Sequence, residues 1–353
     1  MTGGRQTVDL SIRCCVVLLA GLLATAAVAT PAVAPVTRQD PLAVPPPFDE
    51  WLQALIREAR DRGYPEKLVQ DTLAGMEPLQ RVIRNDRSQA ELAVGFERYF
   101  ASRVTRAIVR RGRALATRHR SLLRRIQSEH EVQPRFLLAI WGIETRFGGN
   151  MGRTPIFQAL ATLAWEPRRS DFFRDELFDA LTIASKGYIK PSQMKGSWAG
   201  AMGHPQFMPS SYLKHAVDFD RDGQRDIWTS TGDALASIAN YLKSYDWTDD
   251  ETWGREVKVS PAVRERIATT VDRRTEGCYA MRNMTEHMPL RRWQELGVTN
   301  IAGKALPAAD VDAALVETDS RAFLVYRNYD ALLRYNCAHY YALTVALLSD
   351  RLR

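Results

Sequence analysis

The chain has 353 residues, 45% of them hydrophobic and 25% charged, a balance that can bury a sizeable core and excludes disordered and fibrous classes. Its formal charge is +7, from 48 Lys and Arg against 41 Asp and Glu.

Arg5 and Arg13 precede an apolar run from Cys14 to Val28, and small-residue sites follow at Ala27-Val28-Ala29 and Ala32-Val33-Ala34. This pattern predicts a secretory signal peptide over residues 1–29, cut after Ala29 rather than Ala34 because Pro35 stands just past the second site. The run falls short of the ~20 residues of a spanning helix, so no membrane span is expected after cleavage. An uncleaved anchor is the alternative. A lipoprotein anchor would need a cysteine after Leu18-Leu19-Ala20-Gly21, where Leu22 stands. A Pro-rich linker is expected over 30–48 and a folded domain over 49–353. The expected location is the periplasm.

Cleavage would leave Cys278 and Cys337 as the cysteines of the mature chain. In an oxidising compartment they either pair or remain separate thiols, and the sequence leaves both open.

From Phe48 to Tyr245 apolar residues recur at three- and four-residue intervals, which predicts a mainly α lobe over about 49–245. Much of the positive charge lies between Arg98 and Arg125, where Arg103, Arg106, Arg110, Arg111, Arg113, Arg118, Arg120, Arg124 and Arg125 alternate with apolar residues at helical spacing. A solvated helix face is the plain reading. Export argues against nucleic acid and leaves an anionic cell-wall polymer as a compatible partner.

A helix is expected from Gln133-Pro134, with proline tolerated in its first turn, to Gly148-Gly149. Within it Leu137, Ile140, Trp141 and Glu144 share one face. A carboxylate on an apolar face must be paired, for instance with Arg146 or Arg153, hydrogen-bonded, or kept protonated by desolvation. The last condition is what a general acid requires.

The segment from Gly196 to Ser210 is rich in small residues that let a ligand approach the backbone. Ser197, Gln206 and Ser210 could bond polar groups, and Trp198 and Phe207 offer apolar faces. A polar ligand groove and a helix-connecting loop with packed aromatics both fit. Next, Asp218, Asp220, Asp222 and Asp226 with Gly223 occupy positions one, three, five, nine and six of an EF-hand-type loop, which suits a hard cation. Thr229 stands at the twelfth position, where a bidentate Glu is normal, and Asp233 could supply the missing carboxylate. An Asp-rich turn without metal is the alternative.

Beyond Asp246 the stretches Val257–Val259, Ala314–Thr318 and Ala322–Tyr326 favour strands, and Tyr340–Leu352 returns to helix. The expected fold class is α+β: an α lobe over 49–245 and 335–353, with a small antiparallel β subdomain over 250–330 inserted before the C-terminal helix.

Ala139-Ile140-Trp141-Gly142-Ile143-Glu144-Thr145, Gln158–Ala164, the segment through Met208-Pro209-Ser210 and the acidic loop together resemble the lytic murein transglycosylase B family over Phe136–Leu242, with a weaker echo at Tyr335-Asn336 and Tyr341-Ala342-Leu343. The resemblance implies a lysozyme-like α domain. It further implies that Glu144 is the sole catalytic acid and base, acting on the β-1,4 bond between N-acetylmuramic acid and N-acetylglucosamine with closure of a 1,6-anhydro ring. Ser197 and Gln206 would contact sugar, Tyr99, Arg168 and Arg169 would line the groove, and Tyr335, Asn336 and Tyr341 would form its far wall. Asp218, Asp220, Asp222 and the Gln224 carbonyl would hold a structural calcium or sodium ion, to which the loop spacing adds Asp233, and the chemistry would need no cofactor. The implied partners are peptidoglycan glycan strands and the cell-wall synthesis or division machinery. Phe172, Ala338 and His204-Pro205 depart from the family pattern, and His204 reads as a structural histidine. A non-catalytic peptidoglycan-binding protein and a lysozyme-type hydrolase are the competing functions.

Overall fold

The computed structural model describes residues 44–88 and 95–353. The expected signal peptide and most of the Pro-rich linker lie outside the described residues. Helices α1 (Phe48–Asp61), α2 (Glu66–Leu73), α3 (Gln80–Arg87), α4 (Phe96–Arg103), α5 (Arg106–Arg118), α6 (Arg120–His130) and α7 (Pro134–Thr145) come first. A two-strand ribbon of β1 (Thr154–Pro155) and β2 (Lys195–Gly196) brackets α8 (Ile156–Trp165) and α9 (Ser170–Ser185), and α10 (Pro209–His215) and α11 (Thr231–Lys243) follow. The smaller part holds β3 (Gly254–Lys258), α12 (Pro261–Thr270), α13 (Tyr279–Arg282), β4 (Met288–Pro289), α14 (Leu290–Glu295), β5 (Thr299–Asn300), β6 (Asp312–Glu317) and β7 (Ala322–Val325). The chain closes with α15 (Arg327–Tyr335) and α16 (His339–Arg351). The fold is thus mainly α with one small antiparallel sheet, as the sequence predicts.

Helix α7 sits at the centre because its sequence is apolar nearly all round: Phe136 through Gly142 are all buried. Truncating a residue such as Ile140 to Ala would cost about 2–5 kcal/mol. α16 runs antiparallel to it, with Arg135 donating to Asp350 at one end and Tyr341 donating to Glu144 at the other. The helix ends at Thr145, three residues before the expected glycines. Arg146 (φ 52°), Phe147 (φ 60°) and Gly148 (φ 79°) form a left-handed run, closed by the Phe147 amide on the Trp141 carbonyl. The physical reason is the Phe147 ring, which folds back into space left by Gly142, where an added Cβ would stand 2.8 Å from its Cζ.

The sheet has the order β4-β6-β7-β3-β5, antiparallel throughout. One face, with Ala314, Val316, Phe323 and Val325, packs on the α7 and α16 core; the other, with Leu315 and Leu324, packs on Val263, Ile267 and Trp293 of α12 and α14. Burial on both faces explains why β6 lacks alternation. A second apolar core joins α1, α2, α8 and α9. Cys278 and Cys337 form a disulfide that ties α13 to the α15–α16 junction, which decides the alternative the sequence left open. Among the described residues no helix is long and apolar enough to cross a membrane.

Candidate active site

Glu144 emerges at the last turn of α7, half-buried, on the floor of a cleft of about 740 Å³. The cleft walls are Arg81 and Asn85 of α3, residues 148–154 leading into β1, and Gly196, Ser197, Trp198 and Gln206. Glu144 is the sole carboxylate among the described residues that line it. Its pairing with Arg146 or Arg153 does not form. Instead Tyr341 Oη donates to Glu144 Oε1 at 2.6 Å. Burial pushes the carboxyl up to about 7, opposed by that hydrogen bond and by the charge of Arg103. The carboxyl is therefore poised to hold or release a proton near neutrality.

Behind Glu144 stands an aromatic wall. The Tyr335 and Tyr341 rings lie nearly parallel at 6.4 Å, Tyr335 Oη donates to the Pro205 carbonyl, and burial and the neighbouring Glu144 hold both phenols well above their usual range. Tyr99 is half-buried, its ring under the Arg103 guanidinium at 4.4 Å; burial raises its phenol, and Arg103 and Glu144 both act on it. His204 is structural, as expected. Its Nδ1 accepts from Trp141 Nε1 at 2.9 Å, its carbonyl accepts from Thr145 Oγ1, and burial lowers its pKa.

Ser197 Oγ accepts from the amides of Ala199 and Ala201, so its proton remains available to a ligand. Gln206 adopts φ 52° and anchors its amide nitrogen on the Met151 and Gly203 carbonyls. Its side-chain oxygen is left for the cleft. Ser210 is turned away: its hydroxyl and amide donate to Glu176. Phe207 is buried against Tyr241 and Tyr335 rather than offered to a ligand.

None of the six expected groove residues lines this cleft, although Tyr341 bonds Glu144 and the charge of Glu144 acts on Tyr99 and Tyr335. Arg168 and Arg169 instead clamp the buried Asp86 near the end of α3, because an unpaired carboxylate there would be costly. Asn336 is the exposed C-cap of α15. Conversely, Arg81, Asn85 and Asn150 were missed. Arg81 and Asn85 are four apart on one helix face, but nothing in their spacing separates a cleft wall from solvent. Arg81 Nη2 donates to Thr154 Oγ1, which fixes α3 to the ribbon.

In the acidic loop, Asp218, Asp220 and Asp222 bring carboxylate oxygens within 4.8 Å of one another. Asp218 accepts the amides of Asp222 and Gly223, and Gly223 turns at φ 91°. Asp233, expected as a ligand, is instead buried with one oxygen on the Phe219 amide and the other on the Asp226 amide. It staples the loop to α11. Asp226 likewise accepts the Trp228 and Thr229 amides.

A helical lobe that presents a half-buried glutamate from the end of its central helix into an open polar cleft has the arrangement of a lysozyme-like domain. The chain belongs to the transglycosylase SLT domain family, whose profile matches residues 47–350. It is 35% identical over 205 residues to membrane-bound lytic murein transglycosylase B of Escherichia coli K12, a match covering 55% of this chain and 56% of that protein. The chain therefore spans little more than half the length of this curated relative. It is also similar to the structure of SltB3 from Pseudomonas aeruginosa in complex with NAG-anhNAM-pentapeptide, with TM-score 0.78 and 37% identity over 86% of this chain and 79% of that one. The Escherichia coli lytic transglycosylase SLT35 in complex with calcium matches at TM-score 0.71 and 28% identity, over 85% and 92% of the two chains.

Proposed function

We propose that the chain is an exported peptidoglycan lytic transglycosylase that cleaves the β-1,4 bond between N-acetylmuramic acid and N-acetylglucosamine and leaves 1,6-anhydro-muramoyl ends. The observation that carries this reading is Glu144, its pKa raised to about 7, as the one carboxylate among the described residues that line the cleft. Two-carboxylate glycosidases place a second acid roughly 5–9.5 Å away as nucleophile or base. With no second acid among the described lining residues, a hydroxyl of the substrate itself can take the nucleophile's place.

In the first step the Glu144 proton passes to the glycosidic oxygen, the bond from that oxygen to the muramoyl C1 breaks, and the substrate's acetamido oxygen covers C1. Tyr341 stabilises the carboxylate so formed by donating to Oε1. In the second step Glu144 takes the proton of the C6 hydroxyl, whose oxygen attacks C1, displaces the acetamido oxygen and closes the anhydro ring. The glutamate is then protonated again and ready for another cycle. Ser197 and Gln206 would bond sugar hydroxyl and acetamido groups, and Tyr99, Tyr335 and Tyr341 would bound the far side.

The acidic loop would hold calcium through Asp218, Asp220, Asp222 and the Gln224 carbonyl, none of which lines the Glu144 cleft. The converging carboxylates fit a hard cation, and the calcium complex of SLT35 supports the choice of ion. The ion would stiffen the segment between α10 and α11. Periplasmic export rests on the basic and apolar pattern of residues 1–29.

The test is Glu144→Gln on purified sacculi: turnover should vanish while sacculus binding and the circular dichroism spectrum persist. Near-wild-type turnover in the variant would overturn the assignment.

A further inference from the structure

Between Arg98 and Arg125 the chain carries ten arginines and no acidic residue. Elsewhere surface arginines find carboxylates, as in Arg60–Glu66, Arg264–Glu317 and Arg321–Glu256. On α5, Arg106, Arg110 and Arg113 recur at spacings of four and three, so they share one helix face over about 10 Å. Together with Arg351 from the end of α16 they rim a depression of about 430 Å³ that Val104 and Val109 also line. All four arginines are exposed, and among the described residues none pairs with an acid.

The site is built rather than scattered. Arg113 Nε donates to the Arg351 carbonyl at 2.8 Å, and the Arg351 guanidinium lies 4.9 Å from the Phe100 ring centre. Two guanidinium groups are thereby held in place, while Arg106 and Arg110 make no hydrogen bond or ion pair among the described residues. Arg106 is the first residue of α5, which Thr105 caps, so the positive end of the helix adds to the arginine field. A cation at that position is unfavourable unless an anion joins it. Guanidinium forks match phosphate oxygens in pairs, and the apolar lining admits the carbon part of an ester.

None of these residues lines the Glu144 cleft. Arg351 stands ten residues beyond Tyr341 along α16, about 15 Å away. We propose that this four-arginine pocket is a second binding site, separate from the cleft, for a phosphate-bearing ligand. The shared chemistry is the phosphate group, carried either by a soluble ester or by an anionic lipid headgroup.

The whole protein is to be tested with two probes: pyrophosphate by calorimetry, and sedimentation with phosphatidylglycerol vesicles against phosphatidylcholine vesicles, at low and physiological salt. Arg106→Glu/Arg110→Glu is compared with Arg120→Glu/Arg124→Glu, which makes the same charge change on exposed residues of α6. The first pair should weaken binding at least tenfold and the second less than twofold, with cleavage of glycan strands unchanged in both. Binding of pyrophosphate alone assigns a soluble ester, and binding of phosphatidylglycerol vesicles assigns a headgroup. Equal loss in both variants, equal binding to the two vesicle types, or no binding of either probe overturns the proposal, and none of these results touches the Glu144 chemistry.

Discussion

Replacing Glu144 by Gln should stabilise the protein increasingly as pH rises from 4.5 to about 7, fully above that, and leave it unchanged below 4.5. In the folded state burial holds the carboxyl near 7 against an ordinary value of 4.5. Between those values the folded chain keeps a proton that the unfolded chain releases, so stability falls as pH rises through the window. Above both values the full cost is about 3 kcal/mol; below 4.5 both states are protonated and the cost is nil. Gln is a neutral isostere whose carbonyl can still accept from Tyr341 Oη. It removes the titration without opening a cavity. Urea unfolding of both proteins from pH 4 to pH 9 should therefore show coincident curves at the acid end and a gap growing to about 3 kcal/mol at the alkaline end. A gap independent of pH, or one that widens toward acid, would refute burial of Glu144 as the cause of its raised pKa.

Other consequences follow from neighbouring contacts. Tyr341→Phe deletes the hydrogen bond that lowers the Glu144 pKa, so the alkaline limb of the pH–rate profile should move up. The rate at neutral pH should fall ten- to a hundredfold, the equivalent of about 1.5–3 kcal/mol for a bond to a charged group. Ala338 is the N-cap of α16, its backbone extended and its side chain capping nothing; Ala338→Ser should gain about 1 kcal/mol in thermal unfolding. Calcium should raise the melting temperature of the wild type and leave Asp218→Asn/Asp222→Asn unmoved, because those carboxylates converge in the acidic loop.

The Glu144 helix was legible because its apolar residues repeat at three and four, and the strands β6 and β7 because their residues favour extended backbone. Its stop was misplaced for a tertiary reason: Phe147 needs the space beside Gly112 and Gly142, and that contact pulls Arg146 and Phe147 into the left-handed region. Helices α13 and α14 and the two-residue strands β4 and β5 are too short for periodicity to show, and α12 buries only Val263 and Ile267, too few apolar positions to mark a face. The spacing in the acidic loop brought out Asp218, Asp220 and Asp222, but spacing alone could not show that Asp233 turns inward to bond two backbone amides. For Arg168 and Arg169, the deciding partner is Asp86, some eighty residues earlier in the chain. The cysteines posed the same problem of long-range distance.

The central claim is that one carboxylate works with the substrate's own hydroxyl. It is tested most directly by mass spectrometry of the soluble products from purified sacculi incubated with wild type and with Glu144→Gln. The account predicts 1,6-anhydro-muropeptides from wild type and none from the variant; hydrated muropeptides from wild type would instead show that water takes the place of the C6 hydroxyl and contradict it.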